Sequence, residues 1–463
     1  MDTGWAAPDL SERIQAFTRG EDGHCYQWLG CHPAGDGGYT FRVWAPQAQS
    51  VSLVGDFCGW DADAQPMEPL SEGVWTCTLQ GIEAYSAYGY RIMDKNGQAA
   101  VQTDPFATHR SETAAMVSGG VICREREPLS SACCPPNIYE VQLGAWRRYA
   151  DGRVFSYDTL CEELIPYVTD MGFTHIRLLD FTHDTAPDPR HGTTEAFVAL
   201  VDACHRAGIG VLLDWRPATD ESPAAQSMAL SRAYFWLEVW QVDGLWAQQP
   251  DPLWRSLAED VYDKLFLTPS PGESLPPAGR SLLAGMPGDE DQAFAGVRTL
   301  LIYRLLSPIP RRLLMGDEIG QQRPWTADGS LDWLLMDYDN HRMLRHYVRT
   351  LNQLFRRTTA LWSGAVWMPH HGVLVARLPE DVVAVCNTTL FTMEDIPIGI
   401  PDNGERRELF NTDLAEFGGE NRRVPPLYPR LTPEGDYPYS ISLTLPPLST
   451  VLIRKKEDLT YVP

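Results

Sequence analysis

Residues 174–215 read THIRLLDFTHDTAPDPRHGTTEAFVALVDACHRAGIGVLLDW. The run opens and closes on short apolar stretches, THIRLLD and GIGVLLDW, of strand length. Between them Phe197, Leu200, Val201 and Cys204 recur at three-to-four spacing, the period of one helix face. A strand, a helix and a strand in this order predict a βαβ unit, which requires a parallel pair.

Upstream, IYEVQL from Ile138 reads as another strand. The segment after it carries Leu160, Leu164, Val168 and Met171 along one helical stripe. The chain from Ile138 to Trp215 therefore predicts βαβαβ and a parallel sheet. Outside this region the period changes to two. Residues 39–110 alternate through YTFRVWAP, SVSLVGDFCGWD, GVWTCTLQ and YGYRIMDKNG with turn residues between, which predicts a small β-sandwich. REREPLSSACCPPN is charged and then proline-containing, as a linker is. From about residue 363, VLVAR, VVAVCN and YSISLTLP predict an antiparallel β-domain. The expected organisation is a helical extension over 1–30, a sandwich over 31–110, a linker over 111–136, an α/β region over 137–362 and an all-β domain over 363–463.

A chain of 463 residues suffices for about three domains. Its 44% hydrophobic and 21% charged residues are those of a globular protein. Asp and Glu number 61 against 38 Lys and Arg, and the net charge of −23 repels nucleic-acid phosphates and anionic membrane surfaces, so neither is an expected partner. A neutral polysaccharide is compatible with it. The opening MDTGWAAPDLSERI lacks a basic and then apolar leader pattern, and no run of 18 apolar residues occurs, so a cytoplasmic location is expected. The ten cysteines show no CxxC or Cys/His spacing suited to zinc, and the adjacent Cys133 and Cys134 are read as incidental. His183, Asp184, Asp188 and His191 offer metal-like donors in one loop, but their spacing matches no known site, and no metal or cofactor is expected.

FRVWAPQAQSVSLVGDFCGWD, residues 41–61, resembles the glycogen-binding module that precedes the barrel in branching and debranching enzymes. IYEVQLGAWRR, EELIPYVTDMGFTHIRLL, ACHRAGIGVLLDW, SLLAGMPGD, DGSLDW and SLTLPPLSTVLIR resemble successive segments of glycogen branching enzymes, in the same order. The chain is thus similar to the α-amylase family (glycoside hydrolase family 13). The resemblance implies a (β/α)8 TIM-type barrel with its site at the carboxyl ends of the strands. GIGVLLDW resembles strand three, VDGLWA strand four, LFLT strand seven and RRLLMGDEIG strand eight. Only fifteen residues lie between Gln248 and Lys264, too few for two strand and helix units. The expected fold is an incomplete barrel lacking strands five and six. Its open edge would need a cover, from a helix or a second copy in a homodimer.

Retaining glycosyl transfer needs two carboxyl groups about 5 Å apart, a nucleophile and an acid that becomes a base. In branching enzymes the nucleophilic aspartate sits in a strand-four motif of the form DGLRVDAV. Residues 243–250 here read DGLWAQQP, which places Trp246 where the family has an orienting arginine and Gln248 where it has the nucleophile. An amide has no anionic oxygen to attack the anomeric carbon. The acid/base glutamate belongs in the missing segment, and losing a general acid costs about 10² to 10⁴ in rate. The third carboxylate aligns with Gly272 and Glu273. After strand three the family has an aspartate and, five residues on, a histidine; here stand Asp214 and Thr219. Asp243, Asp317 and Glu318 are candidates for a replacement nucleophile by charge alone, and Asp243 is set aside because its equivalent in the family is structural.

For binding, Trp60 matches the stacking tryptophan of the module and Arg91 a hydrogen-bonding position, while Gln98 and Ala99 stand where the tightest binders have a second tryptophan. Trp44 is a third carbohydrate-binding candidate, with core packing as its plainer role; Trp75 also lies in this region. These readings imply a catalytically inactive branching-enzyme relative that binds α-glucan (glycogen, maltooligosaccharide) weakly or docks on an active glycogen enzyme, or alternatively a reduced but active branching enzyme.

Overall fold

The βαβ reading of residues 174–215 is met by strands His175–Leu178 and Gly210–Trp215 with helix Thr194–Arg206 between them. Thr193 caps that helix by accepting from the Ala196 amide, and Phe197, Leu200, Val201 and Cys204 are its buried stripe. The computed structural model describes residues 9–35, 37–118, 134–179, 185–215, 222–247, 265–267, 281–307, 311–364 and 366–456. The chain divides into two units: Met1–Ser130, Tyr149–Ile165 and Arg177–Thr268 form the first, and Ser131–Arg148, Pro166–Ile176 and Pro269–Pro463 the second.

In the first unit, helix Leu10–Thr18 buries Ile14 and Phe17 in a cluster with Cys25, Trp28, Leu29, Val74, Phe106 and Ala224. The sandwich follows. One sheet orders Gly30–Pro33, Tyr39–Trp44, Val74–Leu79 and Glu68–Pro69, and the other orders Ala48–Gly55, Ala87–Asp94, Ala115–Met116 and His109–Arg110, with Ala99–Gln102 also on Ala87–Asp94. Alternation buries Phe41, Val43, Val51, Leu53, Tyr88 and Tyr90 between them. The two tyrosine hydroxyls donate to Asp104, at 2.6 and 3.1 Å, which satisfies a carboxylate only 2% exposed.

Hydrogen bonds fasten this module to the α/β elements of the same unit. Thr185 Oγ1 donates to the Ala107 carbonyl at 2.8 Å, Thr194 Oγ1 to that of Thr108 at 2.8 Å, and His109 lies 2.7 Å from Glu195. In the parallel sheet, Gly244–Ala247 has Gly210–Trp215 on one side and Leu265–Leu267 on the other, with Asp214 beside Trp246 and Leu245 beside Leu265. Gly210–Trp215 is buried throughout, as parallel strands covered on both faces are.

In the second unit, Asn137–Val141 pairs in parallel with Arg311–Leu314. Helix Glu290–Leu306 starts at a capping box of Asp289 and Gln292, and helix Asp339–Arg357 buries Leu344, Tyr347, Val348, Leu351 and Phe355. The carboxy-terminal domain is antiparallel. Its five-stranded sheet orders Met368–His370, Val373–Leu378, Val382–Asn387, Ser449–Lys455 and Arg406–Asn411, and Met393–Ile400 pairs with Tyr439–Leu445. Val375, Val385, Ile398, Ile441, Leu443 and Val451 are among its core. Among the described residues no helix is long and apolar enough to cross a membrane.

Candidate functional site

The register that sets Asp214 beside Trp246 also brings Arg177 to both. Arg177 Nη2 donates to Asp214 Oδ1 at 2.6 Å, and its guanidinium lies 4.7 Å from the centre of the Trp246 ring. All three are buried: the Arg177 and Asp214 side chains are 5% and 6% exposed, and Trp246 is fully enclosed. A cation held between a carboxylate and an aromatic face is neutralised and shielded at once. Asp214 thus serves as a counter-ion, an arrangement in which its oxygen is committed to Arg177.

Asp243 has a local role. Its Oδ2 accepts from the Val211 amide at 2.7 Å and lies 2.8 Å from His205 Nε2, tying the start of one strand to the end of a helix. Gln248, Gly272, Glu273 and Thr219 lie outside the described residues. In the loop of metal-like donors, His183 and Asp184 lie outside them too. Asp188 is held by Arg190 at 2.6 Å, and buried His191 donates through Nδ1 to the Phe155 carbonyl at 2.6 Å.

In the second unit Glu318 is fully buried and accepts from the Tyr139 hydroxyl at 2.7 Å, the Tyr167 hydroxyl at 2.8 Å and the Gly316 amide at 2.8 Å. Burial raises its pKa above the usual carboxylate value. Adjacent Asp317 is pushed up to about 7 by burial and then by the charge of Glu318, with the Leu282 amide as a donor at 3.3 Å. These carboxylates are enclosed by their own chain, and sequence reasoning missed the two tyrosines because they lie 179 and 151 positions from Glu318.

The sandwich presents an open aromatic face. Trp60 is 41% exposed, at φ +63°, with its indole N–H donating to Asp56 Oδ1 at 3.0 Å. Asp56 also accepts from the Ala87 amide at 2.9 Å, so the turn carrying Trp60 is pinned to the neighbouring strand. A Cβ at Gly89 would stand 3.9 Å from the Trp60 ring and 2.9 Å from Val101, so glycine leaves room there. Arg91 follows Gly89 by two residues and shares its face of the sheet. Trp44 is elsewhere: its ring meets Phe17 edge-on at 5.5 Å within the helix-packing cluster. Trp75 is half-buried and donates to the Ala45 carbonyl.

Residues 28–107 match carbohydrate-binding module 48 (isoamylase N-terminal domain), and residues 373–456 match the alpha amylase C-terminal all-beta domain. The 1,4-alpha-glucan branching enzyme of Halothermothrix orenii is 27% identical over 613 aligned positions, which take in 95% of this chain and 97% of that protein. The chain is a homologue of the 1,4-alpha-glucan branching enzymes. The Desulfitobacterium hafniense branching enzyme is 28% identical, with 96% of this chain and 97% of its own length aligned. Among solved structures, a pullulanase from Bacillus acidopullulyticus has a TM-score of 0.70 at 13% identity, covering 92% of this branching-enzyme homologue and 75% of that chain. The catalytic module of the glycogen-degrading pneumococcal virulence factor SpuA has a TM-score of 0.65 at 13% identity, covering 96% and 100%. These structural likenesses are of fold.

Proposed function

We propose that this branching-enzyme homologue is a non-catalytic protein of α-glucan metabolism, which binds glucan weakly through its sandwich or docks on an active glycogen enzyme as a regulator or scaffold in the cytoplasm. The observation that carries the proposal is the motif DGLWAQQP at residues 243–250. It supplies an amide at the nucleophile position, and an amide cannot form the covalent glycosyl intermediate of a retaining mechanism. The neighbouring charges agree with a site that has lost its substrate. In place of an arginine, Trp246 fills the strand with apolar volume, and Asp214 is spent on Arg177.

Two observations support a shortened barrel. Gly244–Ala247, which resembles strand four, pairs directly with Leu265–Leu267, which resembles strand seven. The alignment with the Halothermothrix orenii enzyme runs over 613 positions, more than the 463 residues of this chain, and the chain must span the excess as gaps. The segment expected to hold the acid/base glutamate falls between those two strands.

A second reading, a reduced but active 1,4-α-glucan branching enzyme, is favoured by the near-complete coverage of its relatives and by the retention of both flanking β-domains. Incubation of purified protein with amylose separates them. The expected outcome is an unchanged iodine spectrum and no new α-1,6 branch points; protein-dependent loss of iodine absorbance with new branches would overturn the non-catalytic reading.

A further inference from the structure

We propose that His370, His371 and Glu434, in the carboxy-terminal β-domain, form a binding site for a divalent transition-metal ion of the zinc class. Each side chain offers one ligand atom, and the three atoms lie within 4.8 Å of one another. Glu434 Oε1 is 3.1 Å from His371 Nε2 and 3.7 Å from His370 Nε2. Two ligands of a tetrahedral zinc ion, with bonds of about 2.0–2.1 Å, stand roughly 3.3 Å apart. The two separations bracket that value.

The local sequence builds this geometry against the ordinary behaviour of a strand. Successive strand residues point to opposite faces. Here His370 pairs with Val373, which leaves His371 and Gly372 as the two central residues of a hairpin turn, at φ +46° and +84°. The left-handed step at His371 brings the imidazoles together, with ring centres 4.4 Å apart. Asn-Gly is the usual pair for such a turn, so backbone preference alone would not select histidine.

The third donor arrives from far along the chain. Glu434 starts a tight turn in which its amide donates to the Tyr437 carbonyl and the Tyr437 amide donates back. That turn seats on Gly399, where a Cβ would come within 2.4 Å of the Glu434 carbonyl oxygen. Strand Met393–Ile400 supports the other side as well, since His370 Nε2 donates to the Pro397 carbonyl at 2.6 Å. One strand thus positions ligands from two segments.

Two imidazoles and a carboxylate suit zinc, cobalt or nickel better than calcium or magnesium, which prefer oxygen. The side chains are 28%, 54% and 24% exposed, enough for an ion to enter and for water to complete four-fold coordination. A metal on His370 Nε2 takes the lone pair that a proton now occupies, so loading exchanges the Pro397 contact for a metal bond and releases protons. The ion would staple the hairpin at 368–378 to the turn at 434–437.

The test uses full-length protein freed of metal with a chelator and titrated calorimetrically with Zn2+. His371→Asn keeps a residue suited to the turn, and Glu434→Gln keeps volume and shape. The expected result is one Zn2+ bound by the wild type that both variants lose, with affinity reduced by more than the roughly 10- to 100-fold that loss of a supporting group costs. Zinc should raise the unfolding midpoint of the wild type and not of the variants, and Co2+ should give a four-coordinate visible spectrum only in the wild type. Equal stoichiometry and affinity in all three folded proteins would overturn the proposal and leave a His–Glu ion pair only.

Discussion

Asp214 lies buried in an apolar strand with Arg177 2.6 Å away and Trp246 covering the guanidinium. Removing either ionic partner would leave a buried charge uncompensated, which is the costly outcome for such pairs. Asp317 accepts instead from the neutral Leu282 amide, at 3.3 Å, and its carboxyl is raised to about 7 by burial and by the charge of Glu318. The sign follows from proton counting. A group whose folded value lies above its unfolded one holds more protons in the native state between the two, so stability falls as pH rises from about 4 to about 7. A rise from about 4 to about 7 caps the effect near 4 kcal/mol, and Glu318 shares in the titration. Asp317→Asn keeps an oxygen for the Leu282 amide and removes the charge. Urea unfolding should show the variant close to wild type at pH 5 and more stable by about 1–3 kcal/mol at pH 8, within that cap; a wild-type stability that does not fall across this range would remove the argument.

At the scale of the element, Trp60 depends on the turn that follows Ala48–Gly55. Asp56 accepts from its indole and from the Ala87 amide, and Gly89 leaves the space that its ring overlooks. A half-exposed indole held by hydrogen bonds is a ready surface for the CH face of a sugar, with Arg91 two residues beyond Gly89 to hydrogen-bond hydroxyls. Affinity electrophoresis in glycogen gels should retard the wild type, and Trp60→Ala should weaken binding by about tenfold or more, equivalent to ~1.4 kcal/mol. Unchanged retardation in the variant would place glucan binding elsewhere. The helix stripe Phe197, Leu200, Val201 and Cys204 was legible because period and burial are both local. The packing of a partly buried Trp44 against Phe17 was half legible, as the plainer of its two roles. The partnership of Arg177 with Trp246 depends on strand register, and the meeting of His371 with Glu434 depends on a contact 63 positions apart, neither of which periodicity encodes.

For the whole molecule, the question is whether repairing one motif restores the chemistry of its relatives. On the proposed reading, the motif DGLWAQQP puts Gln248 at the nucleophile position, while the loss of the carboxylates that would act with it is inferred from chain length alone. A nucleophile at the anomeric carbon is productive only if the leaving oxygen is protonated as the bond breaks. On that reading Gln248→Asp would provide the first group and not the second, and lack of a general acid costs about 10² to 10⁴ in rate. Trp246→Arg would add a second guanidinium beside Arg177, with Asp214 as the counter-ion already engaged, so that change also carries a stability cost of roughly the size found for an unpaired buried charge, 3–5 kcal/mol. The expected outcome is that Gln248→Asp folds and stays inactive on amylose, and that the double variant Gln248→Asp, Trp246→Arg unfolds at lower urea and is equally inactive. Both are read by iodine absorbance and branch-point analysis beside a urea melt. Branching by the single variant would mean that a carboxyl group from another part of the chain reaches the leaving oxygen, and the length argument for a lost acid/base would then fail while the assignment of Gln248 to the nucleophile position would stand.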